Sequence, residues 1–397
     1  MISNLDSAFR WGSWAVLLVV VVMAGTLRGR FYAMFATVLL GIHTLVSTAL
    51  FSYVPHVLAV PVFYLQLTVY LHFGSLIRAR LRPAWFRFAL SLPGLFFAAG
   101  TMLAFPWAIA AGLGATPYGL FIPYLVALVG VLQSIRTREE IVDLDLGQDV
   151  VTELQRHRSG SFRAERPLEL VQITDPHLGP FMPVARLREI CERAVKKNPH
   201  LVLLTGDFVT MESHGAEDAL AEALAPLKAL PGRVFACMGN HDHEAPETVA
   251  HALEAVGAKL LIDDDVVVET PAGRVQILGL DYRRSGRKEH IERVTAEHPR
   301  QADAWRLVLL HDPGAFKLLP AGDADLVLSG HTHGGQVGLL SLGLPHTLVS
   351  ALKVMPDHGL WARGTNRLYV HRGTGHYGFP LRVGVPAEES LVRVHRR

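Results

Sequence analysis

In the second half of the chain, five short apolar runs each stop at a residue that can bind a metal ion. LELVQIT is followed by Asp175 and, two positions on, His177. LVLLTG ends in Asp207, RVFACMG in Asn240-His241-Asp242, RLVLL in His311, and ADLVLSG in His331-Thr332-His333. Asp and Asn offer hard oxygen donors and His a softer nitrogen. That mixture, with no cysteine in it, suits two divalent ions of intermediate hardness, such as Mn²⁺, Fe²⁺ or Zn²⁺. A buried carboxylate at such a place needs a cation or hydrogen-bond donors, because an unpaired charge away from water is very costly. His331 and His333 lie two positions apart, so extended backbone would send them to opposite sides. Gly330, Gly334 and Gly335 flank them and supply the tight turn that brings them together.

The elements that must hold these residues follow from the same runs. A short continuous apolar run closed by Gly reads as a buried strand of a parallel or mixed sheet. Gly206 lets the backbone turn so that Asp207 stands at the carboxyl end of its strand, where open α/β sheets build their sites. Helical segments separate several of the strands. MPVARLREICERAVKKN places Val184, Leu187, Ile190, Ala194 and Val195 on one face. GAEDALAEALAPLKAL and APETVAHALEAVG are two more. Alternating strands and helices predict a layered α/β domain.

The first half of the chain is of another kind. Half of the 397 residues are hydrophobic, and they are unevenly spread. Trp11–Leu27, Phe31–Ile77 and Phe88–Ile135 contain no charged residue. With about 20 apolar residues per bilayer crossing, they predict five spans, near 11–28, 31–52, 57–77, 88–111 and 118–135, with four spans and one re-entrant block as the main alternative. The chain therefore divides into an all-α transmembrane bundle over 1–138, a connector over 139–166 with an edge strand around Val150 to Leu154, and a catalytic domain over 167–397. Arg28 and Arg30, then Arg78, Arg80, Arg82 and Arg87, then Arg136 and Arg138 all fall on one side of five spans. The positive-inside rule makes that side cytoplasmic. The expectation is a multi-pass inner-membrane protein with its catalytic domain in the cytoplasm. His43, His56 and His72 are expected to bond between helices or near the interface. A net charge of +2 gives no strong attraction to nucleic acid. The two cysteines, Cys191 and Cys237, support neither a disulfide framework nor a cysteine zinc site.

Taken together, Asp175-x-His177, Gly206-Asp207, Gly239-Asn240-His241-Asp242, His311 and Gly330-His331-Thr332-His333 resemble the calcineurin-like metallophosphoesterases. The resemblance covers roughly Leu168 to Val394. GHTHGGQ, and YVHRGTG followed by PLR, look like the bacterial membrane-associated branch, some members of which cleave UDP-diacylglucosamine. Pro176 and His371 depart from that branch, which often has Leu and Ser there. The resemblance implies a four-layer αββα sandwich. It also implies a binuclear site in which Asp175, His177 and His333 hold one ion, Asn240, His311 and His331 the other, and Asp207 both. Such ions lie about 3.5–4 Å apart. Manganese is the expected metal, with iron, zinc and magnesium as alternatives.

On that scheme His241 holds no metal and protonates the leaving group, while Asp242 orients it. Arg372 is a candidate phosphate contact, since Arg binds phosphate bidentately. Asp263-Asp264-Asp265 reads as a turn, and the basic segment Arg283, Arg284, Arg287 and Lys288 as a solvated loop. The function expected is a membrane-anchored phosphohydrolase acting on a phosphoester or pyrophosphate, with the bilayer and a phosphorylated or lipid-linked substrate as its partners. The alternatives are a phosphodiesterase or phosphatase on a soluble substrate, or a membrane sensor that binds a phosphorylated ligand without turnover.

Overall fold

The computed structural model describes residues 2–147, 150–352, 355–378 and 381–396. The chain forms two compact units, one of residues 1–132 with 378–383 and one of 133–377 with 384–397.

The helical unit contains α1 (Ile2–Leu27), α2 (Arg30–Leu50) and α3 (Ala59–Ser75). Next, α4 (Ala84–Phe86) runs through a π turn at Arg87–Ser91 into α5 (Leu92–Leu103), followed by α6 (Phe105–Gly112) and α7 (Ile122–Ser134). Among the described residues, four helices are long and apolar enough to cross a membrane: Asn4–Leu27, Arg30–Tyr53, His56–Ser75 and Ala84–Leu103. The fifth expected span, 118–135, coincides with α7 and the turn before it. The third uncharged block breaks at Ala104 and again before Ile122, which leaves only 13 residues for α7. At 1.5 Å per residue that helix is about 20 Å long, so a crossing of a hydrocarbon core of about 30 Å takes in the apolar turn before it as well. The intramembrane histidines do bond between helices. His43 Nε2 meets Gln66 Oε1 at 3.0 Å, and His72 Nδ1 meets Ser91 Oγ at 3.1 Å. Polar side chains of this kind hold helices together where no water competes.

The second unit is built on two sheets. One has six strands in the order β1-β13-β3-β4-β5-β6, the other seven in the order β2-β11-β12-β10-β9-β8-β7. The strands are β1 (Thr137–Asp145), β2 (Val151–Arg156), β3 (Leu168–Ile173), β4 (Leu201–Leu204), β5 (Val234–Ala236), β6 (Lys259–Leu260) and β7 (Asp264–Thr270). They continue with β8 (Gly273–Leu280), β9 (Trp305–Leu310), β10 (Leu326–Ser329), β11 (Gly359–Gly364), β12 (Asn366–Val370) and β13 (Ala387–His395). Strands β3, β4 and β5 run parallel, as do β8, β9 and β10. Residues two apart on each strand face the partner sheet. Leu168, Leu170, Leu201, Leu203, Phe235 and Cys237 interlock with Val275, Ile277, Leu307, Leu309, Leu326 and Leu328. The alternate residues face outward. Leu278, Val308, Leu310 and Val327 pack on Ile291 and Val294 of α11 (Arg287–Glu297). On the other side α8 (Val184–Lys196) buries Leu187, Ile190, Cys191 and Ala194, with α9 (Glu217–Leu224) and α10 (Pro246–Ala255) beyond it. These four layers are the expected αββα sandwich.

The stretch 139–166 is not a free connector. It supplies β1, parallel to β13 from Thr137↔Ala387 to Asp145↔His395, and β2, paired with β11, at the edges of the two sheets. Charge hid β1. TREEIVDLD lacks an apolar run because its acids serve as edge ion pairs, Glu139 with Lys197 at 3.4 Å and Glu140 with Arg372 at 2.7 Å. Charged edges also resist pairing with another chain.

Candidate active site

The expected ligands stand just beyond the carboxyl ends of β3, β4, β5, β9 and β10. The last residue of each strand is fixed by ladder hydrogen bonds, so the next few are aimed with little freedom. Among the described residues, eight non-glycine residues have positive φ. Five are Asp175 (51°), His177 (48°), Asp207 (57°), His331 (68°) and His333 (50°). Such conformations cost on the order of 1–3 kcal/mol each and persist where the surroundings impose them. Their concentration at one place marks the site independently of any motif. The close approach of the strand ends demands glycine twice. At Gly206 (φ +88°) a Cβ would collide with the Gly239 backbone, and at Gly330 it would collide with the Asp175 carboxylate and the Thr174 hydroxyl.

Two groups of donors result. Asp175, His177 and His333 form one, and Asp207, His311 and His331 the other. In the first, Asp175 Oδ1 lies 4.0 Å from His177 Nε2 and 3.4 Å from His333 Nε2, and the two Nε2 atoms are 3.2 Å apart. Asp207 Oδ2 joins the groups, 3.6 Å from His177 Nε2 and 3.2 Å from His311 Nε2. Its Oδ1 accepts the backbone N–H of His241 at 2.8 Å. Backbone carbonyls settle two of the tautomers. His177 Nδ1 donates to Val209 O at 3.2 Å and His311 Nδ1 to Thr205 O at 2.7 Å. A carbonyl can only accept, so in the neutral rings both Nε2 atoms keep a lone pair for the site.

Burial and charge agree with a place made for cations. Burial pushes His177 down to about 4 and His331 down to about 4, so both rings are neutral at pH 7, the state a metal ion would need. Burial pushes the Asp175 carboxyl up to about 6, the mark of an anion short of positive charge. Asp207 is held well below the carboxylate range, because His311, His177 and His241 outweigh its burial. His311 is in turn raised to about 10, as the Asp207 charge overcomes its desolvation, so its Nε2 holds a proton that a bound cation would displace. Asn240 Oδ1 is buried with no hydrogen-bond partner among the described residues. A buried amide oxygen left unpaired is costly, and a divalent ion would satisfy it. The donor set thus fits two such ions.

His241 stands beside these groups without belonging to either. Its ring stacks on Tyr377 at 4.1 Å between centroids and lies 5.6 Å from the His177 ring. Its Nδ1 donates to Glu244 Oε1 at 3.1 Å. The pairing with Glu244 raises the His241 pKa against the effect of burial, and the Asp207 charge adds to it. The expected partnership with Asp242 is corrected. Asp242 Oδ2 accepts the N–H groups of Asp207 (2.7 Å) and Gly239 (2.8 Å), and Oδ1 that of Phe208 (2.8 Å). Both oxygens are spent on pinning the backbone that carries Asp207. Glu244 was missed, although an acid three positions after a site histidine was a readable signal. Tyr377 carries no such signal.

Arg372 is also corrected. Its guanidinium lies 2.7 Å from Glu140 and 2.8 Å from Glu388 and is largely buried. It ties β1 to β13 and has little left for phosphate. Arg372→Ala would leave Glu388 buried beside one fewer cation. Breaking such a pair costs about 3–5 kcal/mol. The expected result is a melting temperature lower by roughly 10 °C with KM unchanged. A raised KM at an unchanged melting temperature would return Arg372 to the substrate.

A third His and Asp grouping, Asp264, Asp265 and His298, is an edge ion pair, with His298 Nδ1 2.7 Å from Asp265 Oδ1.

Comparison with known proteins agrees with this geometry. Residues 168–335 match the calcineurin-like phosphoesterase family. The chain is 30% identical over 235 residues to phosphodiesterase YaeI of Escherichia coli (strain K12), covering 58% of this chain and 84% of that protein. It is 30% identical over 240 residues to the uncharacterized metallophosphoesterase YkoQ of Bacillus subtilis (strain 168), covering 58% and 85%. It is 28% identical over 300 residues to the transmembrane protein with metallophosphoesterase domain of Danio rerio, covering 71% of this chain and 63% of that one. With the ligand groups at the strand ends and these relatives in hand, the chain belongs to the calcineurin-like phosphoesterase family and is a metal-dependent phosphoesterase.

Proposed function

We propose that the protein hydrolyses a phosphoester or pyrophosphate bond in a lipid-linked substrate, at a two-manganese centre on the cytoplasmic face of the inner membrane. The observation that carries the centre is the position of Asp207 Oδ2, between His177 Nε2 and His311 Nε2. In this reading Asp175, His177 and His333 hold one ion, Asn240, His311 and His331 the other, and Asp207 both. When bound, the two ions supply Lewis acidity toward the phosphoryl oxygens and the attacking water. The chain's own residues do the rest. Asp242 holds the Asp207 loop through three N–H groups, so the bridging carboxylate does not reorganise during turnover. His241, with Nδ1 committed to Glu244, has Nε2 to give a proton to the departing oxygen. Tyr377 keeps its ring in place. The lipid-linked substrate is supported by the four long apolar helices on the same chain. The cytoplasmic side is supported by Arg28, Arg30, Arg78–Arg87, Arg136 and Arg138 falling on one side, with α7 and the turn before it carrying the chain back across as a fifth span.

Sealed inside-out vesicles holding the full-length protein test substrate and side together. With Mn²⁺ outside, a lipid pyrophosphate in the vesicle membrane is expected to be cleaved and its water-soluble product to appear in the outer medium. Cleavage of soluble diesters alone would overturn the lipid substrate. Product trapped in the lumen would overturn the orientation.

A further inference from the structure

The helical unit contains an open-sided cavity of about 580 Å³. Its walls include Leu50 of α2, Leu65 of α3, Phe97 of α5 and Leu120 of the turn before α7, and Tyr53 and Tyr118 stand at its rim. The lining is almost wholly apolar and aromatic. We propose that this cavity binds one hydrocarbon chain of a membrane lipid. The inference rests on the helices lying in a bilayer and is independent of what the catalytic site cleaves.

Size and lining carry it. The volume lies within the range of about 300–1,000 Å³ found for built ligand sites. A void of this size left empty would forfeit dispersion contacts on every wall. Water does not fill it favourably, because a buried water needs two to four polar partners and these walls offer few. Around helices long and apolar enough to span a bilayer, the abundant apolar occupant is an acyl or isoprenoid chain.

The cavity also has an end and a floor. Two turns line it, Phe51–Pro55 and Thr116–Phe121, and neither carries Lys or Arg. They lie at the opposite helix ends from Arg28, Arg30 and Arg78–Arg87, so the chain enters from the leaflet away from the basic loops. Rim tyrosines at this level suit the interface, where an aromatic ring sits at the headgroups. At the floor is buried Ser47, whose Oγ accepts from Gln66 Nε2 at 3.1 Å. Gln66 Oε1 accepts from His43 Nε2 at 3.0 Å, and the His43 ring lies 5.6 Å edge-on to Phe97. His43 Nδ1 is buried with no hydrogen-bond partner.

The test uses the full-length protein in nanodiscs containing phosphatidylglycerol with a photoactivatable diazirine on one acyl chain. Leu65→Trp fills the cavity. Leu67→Trp, on the exposed side of the same helix, is its control, and Leu120→Trp fills the cavity from the opposite wall should Leu65→Trp not fold. Labelling of peptides from α3, α5 and the 113–121 turn is expected in the wild type and in Leu67→Trp. A drop of about tenfold is expected in either filling variant, as for loss of a site at fixed ligand. Equal labelling of filled and control variants overturns the proposal. Unlabelled phosphatidylglycerol and a lipid pyrophosphate are then compared as competitors. Displacement by the first alone marks a bilayer phospholipid, and displacement by the second marks a lipid-linked phosphate ester. Hydrolysis of a soluble diester, measured on the same samples, reports the catalytic site separately.

Discussion

Asp207→Asn abolishes measurable turnover, a loss of at least about 10³-fold, and strips metal from the protein. The change is small in shape. Asn tolerates the left-handed conformation that Asp207 holds at φ 57°, and its amide can still present one oxygen. The negative charge is what disappears. That charge lies 3.2 Å from His311 and 3.6 Å from His177, the points where the two donor groups meet. Without it, each group has one fewer anionic ligand and nothing lowers the repulsion between neighbouring cations. Removal of a single preorganised stabilising group costs about 10²–10³ in rate, and Asp207 serves both ions. The check is kcat with bound metal measured on the same preparation. Two bound ions and near-normal turnover in Asp207→Asn would show that the carboxylate is not the bridge.

The second large effect is at His241 and depends on the substrate. A positioned acid contributes about 10²–10⁴-fold where the leaving group needs a proton. An alkoxide needs one, and a nitrophenolate leaves without help. His241→Ala is therefore expected to slow an alkyl phosphodiester by about 10³-fold and a nitrophenyl diester far less. Metal content stays intact, since His241 belongs to neither donor group. Glu244→Gln gives a weaker form of the same pattern, because Nδ1 then meets a neutral oxygen where a carboxylate stood. Equal losses on both esters would mean that His241 only shapes the site.

The strands that carry the ligands were legible because they obey one simple pattern. A buried parallel strand is mostly apolar, so β4 reads directly and β3, β9 and β10 do so despite Glu169, Gln172, Arg306 and Ser329, and a ligand-type residue ending such a run stands out. The ligand residues followed from those ends. What failed was of another kind. β1 was hidden because its side chains are charged and its partner, β13, lies some 250 residues later in sequence. No local pattern reports a pairing of that range. Asp242 and Arg372 were misassigned because sequence gives adjacency and not direction. Asp242 follows His241 yet points to three backbone N–H groups, and Arg372 is turned to Glu140 and Glu388. The break at Ala104 was hidden as well, because composition marks where charge is missing and says little about where a helix breaks.

The measurement that bears most directly on the binuclear centre is a titration of metal-free, full-length protein with Mn²⁺, counting bound ions against hydrolysis of a chromogenic diester. Two ions per chain are expected, with activity reaching its plateau only as the second binds. Full activity with a single ion bound, or activity undiminished after chelation, would contradict the assignment of Asp175, His177, Asp207, Asn240, His311, His331 and His333 to a two-metal site.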